Sequence, residues 1–86
     1  MTHNLTQITE GVRSALLRTV LANEDPKLLK DSTPLLTGGL LDSVRTVTLI
    51  GELERTFGVS FEAHEMSVDY LDSVELIART IAGKLG

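Results

Sequence analysis

The sequence contains no cysteine. Disulfides, thiolate nucleophiles and cysteine-ligated metal centres are therefore excluded. Aromatic residues are scarce as well: Tyr70, Phe57 and Phe61, with no tryptophan. The core has to be built from aliphatic side chains. Basic charge is also short, with 8 Lys and Arg against 12 Asp and Glu, a net charge of −4. No basic patch is available to hold a phosphate backbone, so nucleic acid is not an expected partner. No apolar run approaches the ~20 residues of a membrane span. Met1-Thr2-His3-Asn4 shows no basic stretch leading into an apolar one, so no secretory signal is expected and a cytoplasmic location is. Proline occurs twice, at Pro26 and Pro34, both inside one segment.

What remains is ordinary globular material: 86 residues, 42% hydrophobic and 23% charged. That composition is too apolar for a disordered chain. The length suits one small domain over 1–86. A chain of this size buries only about 60–65% of its unfolded surface, so each large aliphatic residue matters.

Leu5, Ile8, Val12, Leu16 and Val20 recur at helical spacing. Asn4 with Gln7 forms a capping-box pattern at the start of this stripe. The helix is expected to fade near Ala22-Asn23, ahead of Pro26. Residues 23–41 hold both prolines, the pair Gly38-Gly39, and three leucine pairs: Leu28-Leu29, Leu35-Leu36 and Leu40-Leu41. A solvated linker would not carry so many leucines. The segment reads as a long loop packed onto the core, with one helical turn around Lys27 to Lys30. Long ordered loops in small domains are uncommon and often functional.

A second helix is predicted from Ser43 to Phe57, with Asp42 as N-cap and Gly58 as stop. At 100° per residue, Thr46, Leu49, Ile50, Leu53 and Phe57 share the core face. Val44, Arg45, Thr48, Gly51, Glu52 and Arg55 fall on the other, exposed face. Gly51 in mid-helix costs about 1 kcal/mol against alanine. It reads either as drift on a tolerant surface or as a place where something approaches closely. Residues 58–70 form a second connection. Val59 and Phe61 are expected to plug the core, with a short helix around Ala63 to Met66. The last helix, about Ser73 to Lys84, has Val74, Ile77, Ala78, Ile81 and Leu85 as its stripe and Asp72 with Glu75 as a capping box. The fold class is all-α: a small four-helix bundle of three main helices and one short one, with a long first loop.

The most informative stretch is Thr37-Gly38-Gly39-Leu40-Leu41-Asp42-Ser43-Val44. It places a serine hydroxyl at the start of a helix, after a glycine pair and a leucine-rich loop. A helix N-terminus has free N–H groups and a positive dipole end, so it tolerates a phosphate. An apolar residue exposed beside it suits a docking partner.

Leu41-Asp42-Ser43-Val44 followed by Val47, Leu49-Ile50, Leu53-Glu54 and Phe57-Gly58 resembles the acyl carrier proteins and the related peptidyl and aminoacyl carriers. The resemblance covers nearly the whole chain. The Gly-Leu-Leu-Asp-Ser form, with Leu40 rather than glycine three residues before the serine, looks more like the D-alanyl carriers and other stand-alone aminoacyl carriers. The resemblance implies a stand-alone carrier in which Ser43 is esterified by the 4′-phosphopantetheine of coenzyme A. A separate phosphopantetheinyl transferase would install this group. The arm's thiol would hold an acyl or aminoacyl group as a thioester and present it to other proteins. A loading ligase or synthase and downstream transferases are the implied partners, and the carrier itself would do no chemistry. Asp42 would cap the helix and help the transferase find the site. Val44 with the outer face of the second helix would be the docking surface. Arg45, Thr48 and Arg55 interrupt the acids Glu52 and Glu54 there, which implies a dedicated partner set rather than generic fatty-acid synthase enzymes. A monomer is expected.

Other readings compete. Leu-Asp-Ser-Val occurs again at 71–74, and Asp-Ser at a helix start is good capping chemistry in its own right. Ser43 is favoured as the modified residue because it follows the glycine pair and the long loop. A nucleophilic Ser43 would need a base within about 3 Å. The candidates are His3, in a terminal tail, and His64, in the second connection, and no nucleophile-elbow motif accompanies them. A metal site could be sought at Glu62, His64 and Glu65, which are close in sequence, yet carboxylates ahead of a short helix are usually dipole partners or solvated, and no metal is expected. The alternative function is a non-catalytic helical protein-interaction domain without a prosthetic group.

Overall fold

A computed structural model describes residues 4–85, without the side chain of Leu28. His3 lies outside the described residues. The order is helix α1 (Leu5–Arg18), a 3-10 turn (Pro26–Leu28), α2 (Ser43–Phe57), a 3-10 turn (Ala63–Glu65), the one-turn helix α3 (Val68–Leu71) and α4 (Val74–Leu85). No strand occurs among the described residues. The chain is an all-α bundle.

Helix α1 opens with the capping box that Asn4 and Gln7 announce. The Gln7 amide donates to Asn4 Oδ1 at 2.8 Å, and the Asn4 amide donates to Gln7 Oε1 at 3.3 Å. The helix ends at Arg18, earlier than Pro26 alone suggests. There the Thr19 hydroxyl donates to the Ala15 carbonyl at 2.6 Å and the Leu21 amide donates to the Leu16 carbonyl at 2.8 Å, closing the last turn. The chain then turns so that Leu21 is buried.

Ile8, Val12, Ala15 and Leu16 of α1 meet Leu49, Ile50 and Leu53 of α2 and Val74, Ile77, Ala78 and Ile81 of α4 in one aliphatic core. Helix α1 lies against both α4 and α2, and α3 packs on α4. Leu5 and Leu85, at the outer ends of their stripes, extend past the core and are exposed.

The long connection is folded onto this core as its leucines require. Leu29, Leu35 and Leu41 are buried, and Leu36 and Leu40 pack against the core. Its polar groups are tied down too. Arg13 donates to the Leu29 carbonyl and the Asp31 carboxylate. The Glu75 amide donates to the Asp31 carbonyl at 3.1 Å, and the Leu35 amide to the Asp72 carbonyl at 2.8 Å.

The second half departs from its expected elements in two places. The 58–70 connection does contain a helical turn at Ala63–Glu65, but a further one-turn helix forms at Val68–Leu71, anchored by the fully buried Leu71. The cap of α4 is not Asp72. The Leu76 amide donates to Ser73 Oγ at 3.1 Å, so Ser73 caps and the helix begins one residue later. The Asp72 carboxylate turns away to the long connection.

Candidate functional site

The start of α2 is built from the loop before it. Within that loop the Leu40 and Leu41 amides both donate to the Leu35 carbonyl at 2.9 Å, closing a tight reversal. Both glycines are needed there. A Cβ on Gly38 would sit 2.2 Å from the Pro34 carbonyl oxygen, and Gly39 has φ +80°, a region that glycine adopts without steric cost. The reversal buries Leu41 and delivers Asp42 to the N-cap. Asp42 Oδ1 accepts from the Arg45 amide at 2.8 Å, and its carbonyl accepts from the Thr46 amide at 2.9 Å.

Ser43 is then the first residue of α2 and is exposed. Nothing among the described residues hydrogen-bonds to its hydroxyl. It borders a cleft of about 380 Å³ lined by Leu36, Leu41, Asp42, Thr46, Val47 and Met66. An oxygen free of hydrogen bonds at the positive end of a fifteen-residue helix can accept a phosphoryl group without breaking a contact. The site therefore fits a phosphodiester-linked arm. Ser73 does not: it is buried and its oxygen caps α4.

Of the residues expected on the outer face, Val44 is 75% exposed, and Arg45, Thr48, Gly51 and Arg55 are exposed too. Arg45 reaches back to the Leu40 carbonyl at 3.3 Å, and the Thr48 hydroxyl donates to the Val44 carbonyl at 3.1 Å. Around Gly51 a Cβ would meet nothing within 4 Å, so no part of the described chain requires glycine there. Glu52 is the exception and a correction. It is only 9% exposed, because Arg18 reaches over from the end of α1. Arg18 Nη2 lies 2.5 Å from Glu52 Oε2, and Arg55 bonds the other oxygen. The Arg18 hydrogen bond, against the opposing effect of burial, holds this carboxyl below the ordinary glutamate range. Glu52 ties α1 to α2 and is not an open docking group.

The structure also adds residues to this surface. Val47 is 66% exposed and Met66 and Val68 are exposed; Val47 and Met66 line the cleft beside Ser43. Val47 was within reach of sequence reasoning, one helical turn after Val44. Met66 comes from the other connection, and no spacing rule links it to Ser43.

His64 is exposed, with its ring edge-on to Tyr70 at 5.8 Å, and it does not line the cleft. Glu65 is engaged elsewhere: it accepts from the Glu62 amide at 2.8 Å and from Lys84 Nζ at 2.5 Å.

The family described as phosphopantetheine attachment site matches residues 14–81. The chain belongs to this family. Among curated proteins none matches the chain. Phosphopantetheine attachment domains carry 4′-phosphopantetheine covalently and are carriers rather than enzymes. As a member of that family the chain works with a phosphopantetheinyl transferase and with synthases. No helix among the described residues is long and apolar enough to cross a membrane.

Proposed function

We propose that residues 1–86 act as one carrier domain whose arm is attached at Ser43, and that the arm presents an acyl or aminoacyl group as a thioester. The observation that carries this is the Ser43 hydroxyl: exposed, without a hydrogen bond among the described residues, first in α2, and beside a cleft. In the attachment the Ser43 oxygen bonds to the phosphorus bearing the pantetheine. The pyrophosphate linkage of coenzyme A breaks, adenosine 3′,5′-bisphosphate leaves, and the serine proton passes to a base of the transferase. Asp42 keeps α2 capped through its carboxylate while Ser43 is modified.

Val44, Arg45, Thr48, Gly51 and Arg55 form the proposed docking face, continued by the exposed Val47. With Glu52 enclosed between two arginines, this face is cationic and apolar, which fits dedicated loading and transfer enzymes. A cytoplasmic location fits the coenzyme A donor, and the chain is proposed to act as a monomer.

The test is intact mass after incubation with coenzyme A and a broad-specificity phosphopantetheinyl transferase. Wild type is expected to gain one phosphopantetheine and Ser43→Ala none, with unchanged helical circular dichroism. An arm on Ser43→Ala would overturn the assignment. A wild type that gains nothing with two unrelated transferases would favour an interaction domain without a prosthetic group.

A further inference from the structure

Leu-Asp-Ser-Val occurs at 41–44 and 71–74, and the fold uses the two copies in opposite ways. In the first, the aspartate caps and no described residue hydrogen-bonds to the serine hydroxyl. In the second, the serine caps, and the aspartate is released to reach another element. Asp72 Oδ1 accepts from the Leu36 amide at 2.8 Å and the Thr37 amide at 2.9 Å, and Oδ2 accepts from the Thr37 hydroxyl at 2.9 Å. Its backbone carbonyl accepts from the Leu35 amide at 2.8 Å. One residue thus collects donors from three consecutive loop residues.

Those three residues control the approach to Ser43. The Leu35 carbonyl holds the Leu40 and Leu41 amides, Leu36 forms a wall of the cleft, and Thr37 leads into the glycine pair. Gly38 and Gly39 leave this stretch with much backbone freedom unless something fixes it.

We infer that Asp72 is a positioning residue for the Ser43 site: it latches the loop ahead of α2 in the one conformation that presents the serine and shapes the cleft beside it. The inference rests on Ser43 being the attachment residue. Without the latch the loop spreads over several conformations, and the apparent affinity for the transferase falls in proportion to the competent fraction. Chemistry on the bound carrier is left intact, because Asp72 makes no hydrogen bond to Ser43 and reaches the cleft only through the backbone amide of Leu36.

The test compares wild type, Asp72→Ala, Asp72→Asn and Thr37→Val in steady-state modification with coenzyme A and a transferase, together with amide hydrogen exchange on the unmodified proteins. For Asp72→Ala the KM for the carrier is expected to rise about tenfold, with kcat within about twofold. Asp72→Asn keeps a carbonyl acceptor for both amides and should restore KM to within about threefold. Thr37→Val removes only the hydroxyl bond and should fall between wild type and Asp72→Ala, which keeps the test decisive if the alanine variant folds poorly. The Leu36, Thr37, Leu40 and Leu41 amides should exchange faster in Asp72→Ala, while those of Leu53 and Ile81 keep their protection. A modified wild type with an unchanged KM in Asp72→Ala would overturn the latch alone, as would uniform acceleration of all amides, which marks a merely stabilising residue. A wild type that takes no arm would overturn the Ser43 reading, and the positioning role with it.

Discussion

Two serines in the same four-residue context illustrate how much a single position decides. Ser43 and Ser73 both follow aspartate at a helix start, and capping propensity ranks both aspartate and serine highly. Which of the pair caps depends on where the helix begins, and that is set by packing. Buried Leu41 places Asp42 at the cap of α2, whereas the pull of three loop donors on Asp72 leaves Ser73 to cap α4. Ser73→Ala should therefore lower stability by about 1 kcal/mol, read as a reduced urea midpoint, and leave arm attachment unchanged. Ser43→Ala should do the reverse. The loop and the helix single out Ser43 in the sequence. That Asp72 is not a cap is not legible there, because the donors that claim it lie far away in the chain.

At the scale of the element, α2 follows its periodicity closely. Thr46, Leu49, Ile50 and Leu53 are buried and Val44, Arg45, Thr48 and Gly51 are exposed, as 100° spacing requires. Leu53 is fully buried, so Leu53→Ala should cost about 2–5 kcal/mol. Val44→Ser, on the open face, should stay within about 0.5 kcal/mol of wild type. Urea denaturation of the two variants side by side checks both. Equal midpoints would mean that the helix faces are misassigned. Glu52 departs from the pattern for a definite reason. A helical angle states which way a side chain projects from its own axis and nothing about what lies across from it. Arg18, thirty-four residues earlier, covers that angle.

At the scale of the molecule, carboxylates such as Glu52, Glu65 and Asp72 join elements distant in sequence. Glu52 links α1 to α2, Glu65 links the Ala63–Glu65 turn to Lys84 on α4, and Asp72 links the α3–α4 junction to the long connection. Each is held below its ordinary range by its donors. For Glu52 the Arg18 hydrogen bond leads, for Glu65 the Glu62 amide followed by Lys84, and for Asp72 the Thr37 amide. A carboxyl whose pKa is lower folded than unfolded binds fewer protons in the native state. Its contribution is fully present above the unfolded pKa of about 4 and is lost as pH falls through the lower folded value. Urea midpoints should thus be flat from pH 7 to about 5 and decline below about 4. The decline should be shallower in Glu65→Gln, which no longer titrates there. A midpoint that holds steady down to pH 2.5 would show that these links contribute no stability.

The sequence by itself determined the all-α class, the bounds of α2, the Asn4 capping box, the aliphatic core faces and the serine at the head of the second helix. These follow from periodicity, capping chemistry and glycine placement, which act over a few residues and so are written locally. Tertiary structure alone decided that Glu52 is enclosed, that Met66 reaches the cleft beside Ser43, that Val68–Leu71 forms a helical turn, and that Asp72 holds the loop rather than caps a helix. Each of these depends on a partner brought close only when the helices pack, and no spacing along the chain encodes that distance.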